Sequence, residues 1–201
     1  MRNIKVRSST MNDLIYGSAT KIASEIRQKN VSCLEVIEMH LKRIEVVNPA
    51  LNAVVQLCSE RALSEAKAAD VKISKKENIG PLHGVPMTLK DSLDTAEVVS
   101  TGGTKGRQNF IPANDSTVTS RLRNAGAILL GKTNTPEFGH SGTTENKLGD
   151  HCRNPWNLEY VAGGSSGGTG SSVASGITPV AQGSDGGGSI RIPAAFCGIY
   201  G

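Results

Sequence analysis

An α/β fold is the class this sequence predicts, and three observations predict it. Residues 18–72 carry apolar positions at helical spacing, residues 81–201 alternate short apolar runs with helical segments, and a glycine- and serine-rich stretch at 163–193 falls where strands would meet helices.

The elements follow in order. Residues 18–28 place Ile22 and Ile26 one turn apart, and Asn30 offers a stop. Ser32 opens a second helix: with Glu35 it fits a capping box, and Leu34, Ile37, Leu41 and Ile44 form one apolar stripe. Asn48-Pro49 is expected to terminate it, since proline disfavours helical geometry in the residue before it. Residues 53–57, Ala-Val-Val-Gln-Leu, then read as a strand, residues 59–71 as an alanine-rich helix, and polar residues 72–80 as a loop. This helical opening, about 18–72, reads as scaffold.

Beyond it, Val85 to Leu89 reads as a short strand that delivers Lys90 at its end. Residues 117–124 read as a helix capped by Ser116 or Asp115 and stopped by Gly126, followed by a buried strand at 127–130. Residues 168–175 read as a helix and 177–181 as a strand. Ligands in such sheets collect at strand ends and helix N-termini, where Lys90, Ser165 and Ser189 all fall.

Composition narrows the function classes. Lys and Arg number 22 against 18 Asp and Glu, a net charge of +4, but the basic residues are dispersed; Lys72, Lys75 and Lys76 come nearest to a cluster and sit beside Glu77. Direct nucleic-acid binding is therefore not expected. Cys33, Cys58, Cys152 and Cys197 include no Cys-x-x-Cys pair, so free buried thiols are expected, with no metal and no cofactor. Met1 to Arg7 is basic without the apolar core of a signal peptide, and no stretch approaches a membrane span, which predicts a cytoplasmic protein with no membrane partner.

The strongest chemical signal is Gly163-Gly164-Ser165-Ser166-Gly167-Gly168 followed by Gly183-Ser184-Asp185-Gly186-Gly187-Gly188-Ser189-Ile190-Arg191-Ile192-Pro193. Glycines around serines offer backbone N–H groups and hydroxyls to a ligand. A flexible linker would not interleave Ile177, Pro179, Val180, Ile190 and Ile192. The first loop lacks the Lys-Ser/Thr ending of a phosphate-binding loop. No Gly-x-Ser-x-Gly elbow supports a Ser-His-Asp hydrolase built on His40, His83, His140 or His151, of which His83 is the most suggestively placed.

These two segments resemble the signature of the amidase signature family. The likeness extends through Gly84-Val85-Pro86-Met87-Thr88-Leu89-Lys90-Asp91, Gly131-Lys132-Thr133-Asn134-Thr135-Pro136-Glu137-Phe138 and Arg153-Asn154-Pro155-Trp156-Asn157, in the family's order. The resemblance implies an amidase-signature fold with a mixed β-sheet core flanked by helices. It implies that residues 1–201 are the N-terminal part of a single catalytic domain, C-terminally truncated, with an α/β catalytic part at about 81–201.

It also implies the chemistry: cleavage of a carbon–nitrogen amide bond through an acyl-enzyme and a Ser–cis-Ser–Lys triad. Ser189 takes the place of the nucleophile, Lys90 that of the base, and Ser165, which precedes Ser189 by 24 positions, that of the bridging serine after a cis Gly164–Ser165 peptide. The backbone N–H groups of Gly186, Gly187, Gly188 and Ser189 would form the oxyanion hole. Ser166, Asp185 and Arg191 are supporting residues, the last two ordering the loop through hydrogen bonds. Thr143 and Asn146 fall where the family places pocket residues. Lys90 must be neutral to act, against an ordinary pKa of about 10.4, so burial has to depress it and Asp91 has to turn elsewhere.

A small-molecule amide is the expected partner, with a homo-oligomer or a missing C-terminal half also open. Two alternatives stand beside the amidase: a glutaminase-type component of a tRNA-dependent amidotransferase, and an inactive truncated relative.

Overall fold

A computed structural model describes residues 13–201. The basic segment Met1 to Arg7 lies outside the described residues.

Helix α1 (Ala19–Arg27) begins at Ser18, whose hydroxyl accepts from the Lys21 N–H. Helix α2 (Cys33–Leu51) has the full capping box: Ser32 Oγ accepts from Glu35 N at 3.1 Å, and the Glu35 carboxylate accepts from Ser32 N at 2.8 Å. The next two N–H groups, of Cys33 and Leu34, donate to the Asp70 carboxylate at 2.7 and 3.1 Å. The helix start therefore has its unpaired donors satisfied from two directions, an arrangement in which a cap alone contributes about 1 kcal/mol.

Pro49 does not end α2, which runs two residues further. A proline this close to a helix end deletes a single backbone bond and keeps a compatible φ. The turn is made instead by Asn52, left-handed at φ 49°, and by the Asn48 side chain, which accepts from Ala53 N and Val54 N. Helix α3 (Ser59–Ser74) follows strand β1 (Val54–Leu57) and extends three residues into the polar stretch expected to be loop.

The main sheet contains β1, β2 (Pro86–Lys90), β3 (Ile128–Thr133) and β6 (Val180–Gln182) in the order β1-β3-β2-β6. β1 is antiparallel to β3, whereas β2 runs parallel to both β3 and β6, so the sheet is mixed. Every residue of β2 and β3 is buried, as expected for central strands covered on both faces. Helix α4 (Thr117–Asn124), capped by Ser116, leads into β3. β6 is shorter and later than the strand expected at 177–181. Pro179 has no N–H for the ladder, and Ile177 is a buried core residue whose carbonyl contacts His40 Nδ1.

Strand alternation sorts the chemistry. Met87 and Leu89 point into one apolar cluster with Leu129, while Thr88 on the opposite face meets Ser172 of helix α5 (Gly167–Ala174) at 3.1 Å. Lys90 falls on the α5 face and Asp91 on the other. The helix lies close to the sheet because Gly168 has no side chain: a Cβ there would come within 2.3 Å of Asn134 N.

A two-stranded hairpin, β4 (Arg153–Asn154) with β5 (Asn157–Val161), is an addition to the elements expected from the sequence. It explains the Arg-Asn-Pro-Trp-Asn motif structurally. Asn154 Nδ2 and Trp156 Nε1 donate to the carbonyls of Phe196 and Cys197 at 2.8 and 2.7 Å, capping the end of helix α6 (Arg191–Cys197). All four cysteines are buried and free. Among the described residues no helix is long and apolar enough to cross a membrane.

Candidate active site

β2 carries Lys90 to the N-terminal end of α5, where the chain enters through a cis Gly164–Ser165 peptide. Lys90 is 1% exposed and Ser165 is 2% exposed. Lys90 Nζ lies 2.6 Å from Ser165 Oγ and, as an ammonium, donates to it. Burial lowers the Lys90 pKa to about 8, against an opposing pull from the Asp185 charge.

Asp91 turns away, as a strand-end neighbour should. Its carboxylate accepts from the Thr101 backbone N–H and hydroxyl and sits 3.3 Å from Lys132 Nζ. Lys132 also donates to Leu93 O at 2.6 Å and Ser100 Oγ at 2.9 Å. Burial pushes the carboxyl up and the amine down, and each partner pulls the other back. The Gly131 to Phe138 motif contains Lys132 but assigns it no role; the available signal was a lysine one strand over, facing the same side as Asp91.

The Ser189 loop lies against the Ser165 loop through one backbone bond, Ser166 N to Ser189 O at 3.1 Å. Ser189 is half-buried, and its hydroxyl makes no hydrogen bond to Ser165 among the described residues. The structure thus joins Lys90 to Ser165 and brings Ser189 onto the adjoining loop without closing the second link.

Asp185 organises that loop. Its carboxylate accepts from Gly188 N at 2.7 Å, Ile190 N at 3.0 Å and Arg191 N at 3.2 Å, and makes a two-point contact with the Arg191 guanidinium at 3.0 and 2.9 Å. These donors hold the Asp185 carboxyl far below its usual range. Of the four N–H groups expected to face an oxyanion, that of Gly188 donates to Asp185 in this structure. Among the described residues the N–H groups of Gly186, Gly187 and Ser189 have no partner.

Ser166 Oγ both donates to Ser184 O and accepts from Ser184 N, each at 3.2 Å. Ser184 Oγ in turn lies 2.9 Å from Lys90 Nζ, a contact that sequence reasoning misses because nothing distinguishes Ser184 from the loop residues between Gly183 and Asp185. Asn146 ties Asn134 and Thr135 together, and Thr143 bonds to Ser141. The backbone of Gly142 and Thr143 covers Gly164, where a Cβ would approach within 2.8 Å. His83, at the opposite end of β2 from Lys90, contacts Ala69 O at 3.1 Å. His40 is buried on α2, and burial lowers its pKa to about 4.

The geometry can be set beside known proteins. The amidase family model matches residues 35–201. The A component of the glutamyl-tRNA(Gln) amidotransferase of Carboxydothermus hydrogenoformans is 48% identical over 189 residues, 94% of this chain and 39% of that protein. An acylamidase from Rhodococcus erythropolis is 43% identical over 192 residues, 96% of this chain and 40% of that protein. A solved bacterial aryl acylamidase of the amidase signature family matches with a TM-score of 0.86 at 41% identity, covering 90% of this chain and 38% of that one. The chain spans about two-fifths of the length of these relatives.

Proposed function

The chain belongs to the amidase signature family, and from that premise we propose that it carries the catalytic machinery for hydrolysing a carbon–nitrogen amide bond. The observation that supports this most is the buried Lys90 amine, with its lowered pKa, 2.6 Å from Ser165 Oγ and beside the Ser189 loop.

Serine needs a base to become a nucleophile at neutral pH. In this reading Lys90 acts in its neutral form. It accepts the Ser165 proton as Ser165 accepts the Ser189 proton, and Ser189 Oγ bonds to the substrate carbonyl carbon. Rotation of the Ser189 side chain makes the link to Ser165. The carbonyl electron pair moves onto oxygen, where the N–H groups of Gly186, Gly187 and Ser189 receive it; one such donor contributes about 3 kcal/mol in other enzymes. The proton held by Lys90 then returns through Ser165 to the leaving nitrogen, the C–N bond breaks, and a covalent ester remains on Ser189. Water reverses the sequence to release the carboxylic acid and regenerate the hydroxyl.

A small acyl amide is the proposed substrate class. The test is release of carboxylate and amine from short aliphatic and aryl amides by the purified protein. Turnover that disappears in Ser189→Ala supports the proposal, and undiminished turnover in that variant overturns it. The 48% identity to an amidotransferase component favours a second reading, glutamine hydrolysis coupled to partner proteins. Glutaminase activity that rises only when such partners are added would select it.

A further inference from the structure

Lys90 has two hydroxyl partners, Ser165 Oγ at 2.6 Å and Ser184 Oγ at 2.9 Å, and only the first has a place in the proton path above. A neutral primary amine has two N–H donors and one lone pair. To take the Ser165 proton it must present the lone pair to Ser165, so at least one N–H needs an acceptor elsewhere. In a site where Lys90 is 1% exposed, an amine with no acceptor but Ser165 would turn an N–H toward it and compete with the transfer it is meant to receive.

We propose that Ser184 is a positioning residue for Lys90: its hydroxyl accepts one amine N–H and so leaves the lone pair facing Ser165. Ser166 holds Ser184 in place. One hydroxyl can donate and accept at once, and Ser166 Oγ does both toward the Ser184 backbone, at 3.2 Å each. The preceding residue is fitted to that clamp, since a Cβ on Gly183 would lie 3.0 Å from Ser166 Oγ. The neighbouring serines 165 and 166 thus divide the work: one carries the proton, and the other fixes the residue that aims the base. The inference rests on the triad reading and adds a residue to it.

The experiment compares Ser184→Thr, Ser184→Val and Ser184→Ala with wild type in the purified protein, using an alkyl fluorophosphonate as the probe. The maximal rate of covalent labelling and the concentration giving half that rate are measured separately. Thr and Val share a shape and differ by the hydroxyl, so folding affects both alike. The expected result is a maximal rate about tenfold lower for Val and Ala, recovered in Thr, with the half-saturating concentration unchanged. Equal rates for Thr and Val, or a wild-type rate for Ala, overturn the role of Ser184 while leaving the triad intact. Failure of the wild-type protein to label at Ser189 overturns the triad reading itself, and this inference with it.

Discussion

Asp91 follows Lys90 directly in the chain, yet its carboxylate closes on Lys132 at 3.3 Å, on the opposite face of the sheet from Ser165. Neighbouring residues at a strand end point to opposite sides, so one step of chain separates an ion pair from a would-be base. Both members of the pair are at most 1% exposed. Removing one partner therefore strands a buried charge.

Lys132→Met should lower stability by about 3–5 kcal/mol, the usual penalty for breaking a buried pair. The double variant Asp91→Asn/Lys132→Met should recover much of that loss. Urea unfolding of the three proteins checks this, and a Lys132→Met stability within about 1 kcal/mol of wild type would contradict it.

The pH profile of fluorophosphonate labelling should rise through about pH 8 and then level. Below the Lys90 pKa the amine is an ammonium and accepts no proton; above it the base is available. Asp185 favours the ammonium, so Asp185→Asn should move the rise to lower pH. The plateau should fall at the same time, on the order of 10²-fold, because the loop loses its hydrogen-bond hub. A rise that stays in place in that variant would show that the Asp185 charge does not reach Lys90.

Gly139 lies over the site. A Cβ there would stand 3.3 Å from Ser165 Oγ and 4.0 Å from Lys90 Nζ, on a backbone with φ +71°. Gly139→Ala should cost about 1 kcal/mol in stability through its left-handed backbone. It should reduce labelling well beyond what that loss explains, and unaltered labelling in a folded variant would remove Gly139 from the site.

Gly186 is the reverse case. Nothing lies within 4 Å of a Cβ built on it. Gly186→Ala should stabilise by about 0.5 kcal/mol by narrowing the unfolded ensemble, with labelling at Ser189 retained. Thermal unfolding together with labelling separates these effects. Gly168→Ala, where a Cβ would strike Asn134 N, should by contrast fold poorly.

Local patterns are legible in the sequence where the physics is local. The Ser32–Glu35 capping box, the Ser116 cap and the strand that ends at Lys90 all stand in the structure where the residue pattern puts them. The end of α2 departs from the pattern because a proline so near a helix end costs a single backbone bond, and the turn falls instead at Asn52, where the Asn48 side chain catches Ala53 and Val54. The Lys132–Asp91 pair and the Lys90–Ser184 contact join residues 41 and 94 positions apart, and only strand order and loop packing bring them together. The engagement of Gly188 N–H by Asp185 is hidden for the same reason: glycine-rich sequence supplies donors but does not say which are taken.

The measurement that tests the central claim most directly is mass-spectrometric mapping of the fluorophosphonate adduct on the purified protein, on either side of the Lys90 pKa of about 8. The account predicts an adduct on Ser189, formed faster at the higher pH and absent after Ser189→Ala or Lys90→Met. An adduct on another serine, or labelling at Ser189 that survives the loss of Lys90, would contradict it.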